Sequence, residues 1–129
     1  MKYLFWYFLK FILSIFIIFL GIQHFVKPSF YIPFVPLFLP YTTAIIYISG
    51  IIEIVLGILL LLNKKYARYG ALGIFFLMLL FLPIHIWDVF SKNPAIGSHN
   101  AALIRLPIQF VLIIFAWKIY NKLSKKEEN

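Results

Sequence analysis

YTTAIIYISGIIEIVLGILLLL, residues 41–62, decides how this chain is read. It is apolar enough and long enough to cross a bilayer, since about 20 apolar residues at about 1.5 Å rise each span the hydrocarbon. Within it runs Gly50-x-x-Glu53-x-x-x-Gly57. The two glycines lie one helical turn either side of the acid, so all three residues project from one face. Small residues there let a neighbouring helix approach closely. An ionised carboxylate at that depth costs about 2.5 kcal/mol or more. Glu53 therefore needs a partner from another helix, either as a functional group or only to fix how the bundle packs. The two roles do not exclude each other.

Composition agrees. Of 129 residues, 64% are hydrophobic, 20% aromatic and only 12% charged, with a mean hydropathy of +0.97. That is the balance of an integral membrane protein. A single domain over 1–129 is expected, with no room for a soluble catalytic module. The net charge of +8 does not point to nucleic acid, because the lysines gather at span ends. There they act as topology signals and contact anionic headgroups. The chain has no cysteine, which excludes thiol–disulfide chemistry and a thiolate-held iron–sulfur cluster. Any redox role would use a borrowed cofactor or a partner subunit.

Working outward, four spans are expected, at about 4–26, 43–62, 67–87 and 101–120. The first follows Lys2 and carries no small-residue cleavage site, so it reads as a retained span rather than a cleaved signal peptide. Lys10 interrupts it early and snorkels to the nearer surface, while Tyr3, Trp6 and Tyr7 form an aromatic belt. Ser14, Gly21 and His24 share a stripe. Residues 27–42 form an outer loop whose core is KPSFYIPFVPLFLP, with prolines at 28, 33, 36 and 40. The prolines exclude a regular helix, yet the residues between them are apolar. Two readings stand: a hydrophobic seal over the bundle, or a lid over a site. Asp88 to Asn100 is a polar loop, and residues 121–129 form a charged, frayed tail. Lys and Arg counts place both termini in the cytoplasm, in a four-transmembrane-helix bundle of the all-α class.

That orientation makes the buried polar residues converge. Glu53 falls about 15 Å below the outer surface, with Arg105 about 5 Å and Gln109 about 10 Å deep on the last span. Arg105 and Gln109, four residues apart, share a face and are the expected partners of Glu53. His24, His85 and Asp88 lie near the outer surface, while the inner half is apolar. An outward-opening polar pocket of Glu53, Arg105, Gln109, His24 and His85 is expected, with Gly50, Gly57 and Gly21 as helix-packing positions. The histidines read first as bonded to water or backbone, and haem ligation is the weaker alternative. Pro107 is ordinary for a first helical turn. No metal site, nucleophile–base pair or phosphate loop is found.

Several of these residues resemble the DoxX family of small four-span membrane proteins. The markers are Gly21-Ile22-Gln23-His24-Phe25, Pro36-x-x-x-Pro40, Ser49-Gly50-x-x-Glu53-x-x-x-Gly57, Pro83 and Arg105-x-Pro107-x-Gln109. Similar proteins often carry Asn two residues after the proline of the third span, where this chain has His85. The resemblance implies a bundle in the bacterial cytoplasmic membrane, contacts with membrane lipids, and a protein partner or homo-oligomer. It also implies an accessory oxidoreductase subunit in a quinone-linked complex, with no covalently bound cofactor and a quinone as the possible ligand. The alternative is a non-catalytic scaffold or assembly chaperone. Autonomous catalysis is not expected, and transport is the weakest reading.

Overall fold

The computed structural model describes residues 2–128, with side chains described over 4–125. Lys2, Tyr3 and Lys126, which carried part of the belt and charge arguments, have no described side chain. Four long helices make up the fold: α1 (Lys2–Val26), α3 (Thr42–Leu61), α4 (Lys64–Phe90) and α5 (His99–Glu128). All four are long and apolar enough to cross a membrane, and the protein is a multi-pass membrane bundle whose exposed apolar faces meet lipid. Between α1 and α3 lie a short helix α2 (Pro28–Tyr31) and a 3-10 turn (Ile32–Phe34).

Several boundaries differ from the expected ones. The segment after α1 holds a helical turn despite its prolines. After a break at Lys27, Pro28 sits at the first helical position, where no amide hydrogen is needed, and the backbone becomes extended at Val35. Helix α4 runs through Pro83 to Phe90, so Asp88 belongs to its last turn and not to the loop. Helix α5 starts at His99 rather than two residues later, with the Ser98 hydroxyl accepting the Ala101 amide at 3.1 Å. Pro107 consequently lies beyond the first turn, inside the helix. The expected frayed tail continues helical to Glu128.

Helix α1 packs on α3, α3 on α4 and α4 on α5, while α5 touches α1 only lightly. The α1–α3 crossing is set by glycine. A Cβ on Gly21 would sit 2.7 Å from the Gly50 carbonyl oxygen, and one on Gly50 would sit 2.9 Å from that of Gly21. Gly57 repeats the device lower down, 3.1 Å from the Ser14 carbonyl oxygen. Backbones this close gain dispersion contacts, the main attraction left to helices already surrounded by lipid.

Leu13, Ile17, Leu60, Ala67, Ala71, Ile74, Met78, Leu112, Ile113, Ala116 and Ile119 fill one continuous core. It occupies the half of the bundle nearest the chain termini and the 62–64 turn. At that end the Lys10 amine lies over the Tyr7 ring, one turn back along α1. The other half, under residues 27–41 and 91–98, is built differently.

Candidate functional site

Beneath the proline-rich segment lies a cavity of about 520 Å³. Leu20 and His24 of α1, Ile45, Ile46, Ser49 and Glu53 of α3, and Leu80 to His85 of α4 form its walls, Leu82 excepted. Arg105 of α5 and Ile96 of the 91–98 loop complete them. Phe30, Tyr31, Phe34, Val35, Pro36 and Leu39 form the roof. Most of this lining is apolar, with a few convergent polar groups. That is the character of a small-molecule site, and the volume falls in the same class.

Glu53 is 3% exposed. Its nearest polar neighbour is His24, with Nε2 and Oε2 3.4 Å apart. Glu53 makes no hydrogen bond or ion pair with Arg105 or Gln109; the Arg105 charge still acts on it across the cavity, while its direct contact is with His24 of α1 rather than with the last span. The glycine crossing explains this. Gly21 stands three residues before His24, and Gly50 three before Glu53. On these antiparallel helices each glycine faces the other's polar residue: a Cβ on Gly21 would meet Glu53 Cβ at 3.1 Å, and one on Gly50 would meet His24 Cβ at 2.7 Å. The matched spacing Gly-x-x-His and Gly-x-x-Glu is the signal that could have found the pair.

His24 is held in one orientation. Nδ1 lies 2.8 Å from the Ile46 carbonyl oxygen, which only accepts, so Nδ1 carries a proton and donates. Ser49 Oγ lies 3.0 Å from the same nitrogen and donates to the same carbonyl at 2.9 Å. Nε2 is thereby the ring position turned to the carboxylate. From above, the Tyr31 ring lies over the imidazole with centroids 4.1 Å apart. Phe34 likewise meets His85 at 5.9 Å. The proline-rich segment thus covers both histidines with aromatic rings.

Two buried polar atoms here make no hydrogen bond: Glu53 Oε2, whose nearest polar neighbour is His24 Nε2, and Arg105 Nη1. One accepts and the other donates. Arg105 is near enough for its charge to act on Tyr31, as does that of Glu53. Burial raises the Tyr31 hydroxyl above its ordinary value, Glu53 adds to the rise and Arg105 opposes it.

Gln109 is elsewhere. Its side chain is fully buried, and Nε2 donates to the Met78 carbonyl oxygen at 2.7 Å. It ties α5 to α4 and does not line the cavity. The reading of Gln109 as a pocket residue is corrected: four residues below Arg105 places it a full turn deeper, inside the packed core. Asp88, given no role beforehand, anchors the cavity wall. It is 5% exposed and accepts the amides of Ala95 at 2.5 Å and Ile96 at 3.2 Å, folding the 91–98 loop back so that Ile96 reaches the lining. Among the described residues, no group of three or more His, Cys, Asp or Glu side chains is placed to hold a metal ion.

Residues 13–120 match a family model described as a domain of unknown function, DUF8561, and the chain belongs to that family. This overturns the resemblance to the DoxX family: the glycine, proline and glutamate markers that carried it are short, and they serve close helix packing and a buried carboxylate in any small bundle. No curated protein and no solved structure matches the chain.

Proposed function

We propose that the protein holds a small amphipathic molecule in the cavity beneath its proline-rich segment, as a non-catalytic component of the membrane. The observation that carries this reading is a cavity of about 520 Å³ with apolar walls, lined also by the polar residues His24, Ser49, Glu53, His85 and Arg105. Polar groups bordering an apolar space in a low dielectric are costly to leave without company, and a polar head group beside them lowers the cost. The apolar walls suit the ligand's tail.

Membership of a quinone-linked redox complex rested on the overturned resemblance and loses its ground with it. A quinone remains one molecule of the right kind, with ring carbonyls for Arg105 and an apolar tail. Lys and Arg at the opposite end of the bundle favour a cavity that faces out of the cytoplasm. A pure scaffold reading placed the packing role on Glu53 with Arg105 and Gln109. The contacts of Gln109 with Met78 and of Glu53 with His24 suit that second reading, while the open space beside Arg105 and His85 suits a ligand.

The test is direct. The full chain is extracted from its membrane in polymer nanodiscs, and its bound small molecules are compared with the bulk membrane extract by mass spectrometry. A species enriched on the wild type and lost from Ile84→Trp, which fills the cavity, is expected. Identical extracts from both proteins, with both folded by circular dichroism, count against the proposal.

A further inference from the structure

We propose that the turn Pro36–Leu39 is a flap seated in the lipid bilayer. Leu37 and Phe38 occupy the boundary between head groups and acyl chains, and the cavity beneath opens to lipid rather than to water. The seating stands apart from the ligand reading; the route into the cavity rests on it.

Four observations lead here. First, the Leu39 amide donates to the Pro36 carbonyl oxygen at 3.0 Å, closing a turn with Leu37 and Phe38 at its two corners. Turn corners are commonly Gly, Pro, Asn, Asp or Ser. Here they are a wholly exposed leucine and a phenylalanine at 83% exposure. Lone exposed apolar residues are ordinary. Two adjacent ones at the tip of a turn fit an apolar surrounding, because removing side chains of this size from water is strongly favourable. Second, no Asp, Glu, Lys, Arg or His occurs between Lys27 and Glu53. The connection beside it at the same end, residues 91–98, exposes Lys92 and Asn93. One connection is made for lipid and the other for water. Third, Tyr41 holds a left-handed backbone, φ 59°, which bulky residues seldom adopt, and its ring is 82% exposed. An aromatic ring at the start of a span sits at head-group level. Because Tyr41 leads directly into α3, whose exposed Ile48, Ile51 and Ile52 meet lipid, the bilayer is the apolar phase that reaches the turn. Fourth, the ends of the turn serve the other side: Pro36 and Leu39 line the cavity. The same four residues wall the cavity and meet the bilayer. Pro33, Pro36 and Pro40 restrict the backbone around them, so the corners are presented at little cost in ordering.

The experiment uses the full chain in phosphatidylcholine nanodiscs. The chain has no cysteine, so Leu37→Cys, Phe38→Cys, Leu39→Cys and Asn93→Cys each carry one nitroxide label at a known place. All four side chains are exposed, and circular dichroism checks that each variant is folded. Power-saturation electron paramagnetic resonance then compares collision with oxygen, which concentrates in lipid, and with a nickel chelate, which stays in water. Labels at 37, 38 and 39 are expected to favour oxygen, and the label at 93 the nickel chelate. If Phe38→Cys fails to fold, Leu37→Cys reads the same turn. Labels at 37 and 38 as open to nickel as that at 93 would put the flap in water and overturn the proposal. Labels closed to both reagents would mean that a protein neighbour covers the turn, which overturns it equally. Nickel access at 39 alone would overturn the lipid route. Occupancy of the cavity is read separately by the nanodisc extracts, so an empty cavity under a seated flap sinks the ligand and spares the seating.

Discussion

The two ends of this bundle are made from the same four helices and are solved in opposite ways. Toward the termini, Leu60, Ala67, Ala71, Ile74 and Ala116 are wholly enclosed, and small residues let the helices close on one another. Toward the connecting loops, His24, Ser49, Glu53, His85 and Arg105 stand where aliphatic side chains would otherwise meet. Polar side chains in a membrane interior must be partnered, and they are satisfied only at fixed geometries. His24 and Glu53 meet across the close α1–α3 crossing, and the space beside them, toward His85 and Arg105, is what Tyr31 and Phe34 roof over. The contrast shows a bundle whose closed end supplies the stability that lets the other end stay open.

The largest effect is expected at the seam that serves both ends. Gly50→Leu drives a side chain into His24 Cβ and the Gly21 carbonyl, and overpacking of this kind costs about 3 kcal/mol or more. Loss of the thermal unfolding transition in mild detergent is the expected readout, and a variant that melts like wild type would disprove the close crossing. Next, Ile74→Ala in the closed end, at 0% exposure, should cost about 3 kcal/mol through the cavity it leaves. Phe34→Ala, in the roof, should cost less than about 1 kcal/mol because one of its faces already borders empty space. Equal shifts in the two melting curves would erase the distinction between the ends.

How much of this was legible in the sequence follows the same line. The four spans were, because apolar runs of bilayer length report themselves through composition alone. The glycines flanking Glu53 pointed to close packing for the same local reason. The direct contact of Glu53 was not, because reach along a helix says nothing of which helix lies alongside: α1 is the neighbour across that face, and Arg105 acts on the acid only through its charge. Gln109 showed the limit of depth counting: sharing a face with Arg105 did not put it in the same space, since one turn separates the open end from the core. Asp88 escaped notice because its partners are backbone amides seven and eight residues later, which leave no mark on side-chain patterning. A short helical turn survived among prolines because Pro28 falls where a helix tolerates it.

A smaller effect is expected at Asp88. Asp88→Asn replaces one of its two acceptor oxygens with a donor, so either the Ala95 or the Ile96 amide is left unmet, at about 1–2 kcal/mol. Because Ile96 is part of the cavity wall, faster amide exchange over residues 91–98 should accompany weaker ligand retention, while the closed end exchanges as before. Uniform change along the chain would mean that Asp88 supports the whole bundle and not the open end alone.

The smallest effect separates the ends by proton binding rather than packing. Tyr31 lies over His24 at the roof, and burial, reinforced by Glu53 and opposed by Arg105, raises its hydroxyl above the ordinary value. A group whose value is raised on folding holds its proton more tightly in the folded state. The stability this contributes is present below the free phenol value of about 10 and is lost as pH climbs through the higher folded value. Between about pH 9 and pH 11 the wild type should therefore lose stability more steeply than Tyr31→Phe, which keeps the ring over His24 and removes the titrating hydroxyl. The comparison is made on the difference between the two unfolding midpoints, since the other tyrosines and lysines titrate alike in both proteins and cancel. Parallel curves would show that the hydroxyl sits in water, and the roof would then be open above the carboxylate it is here placed to cover.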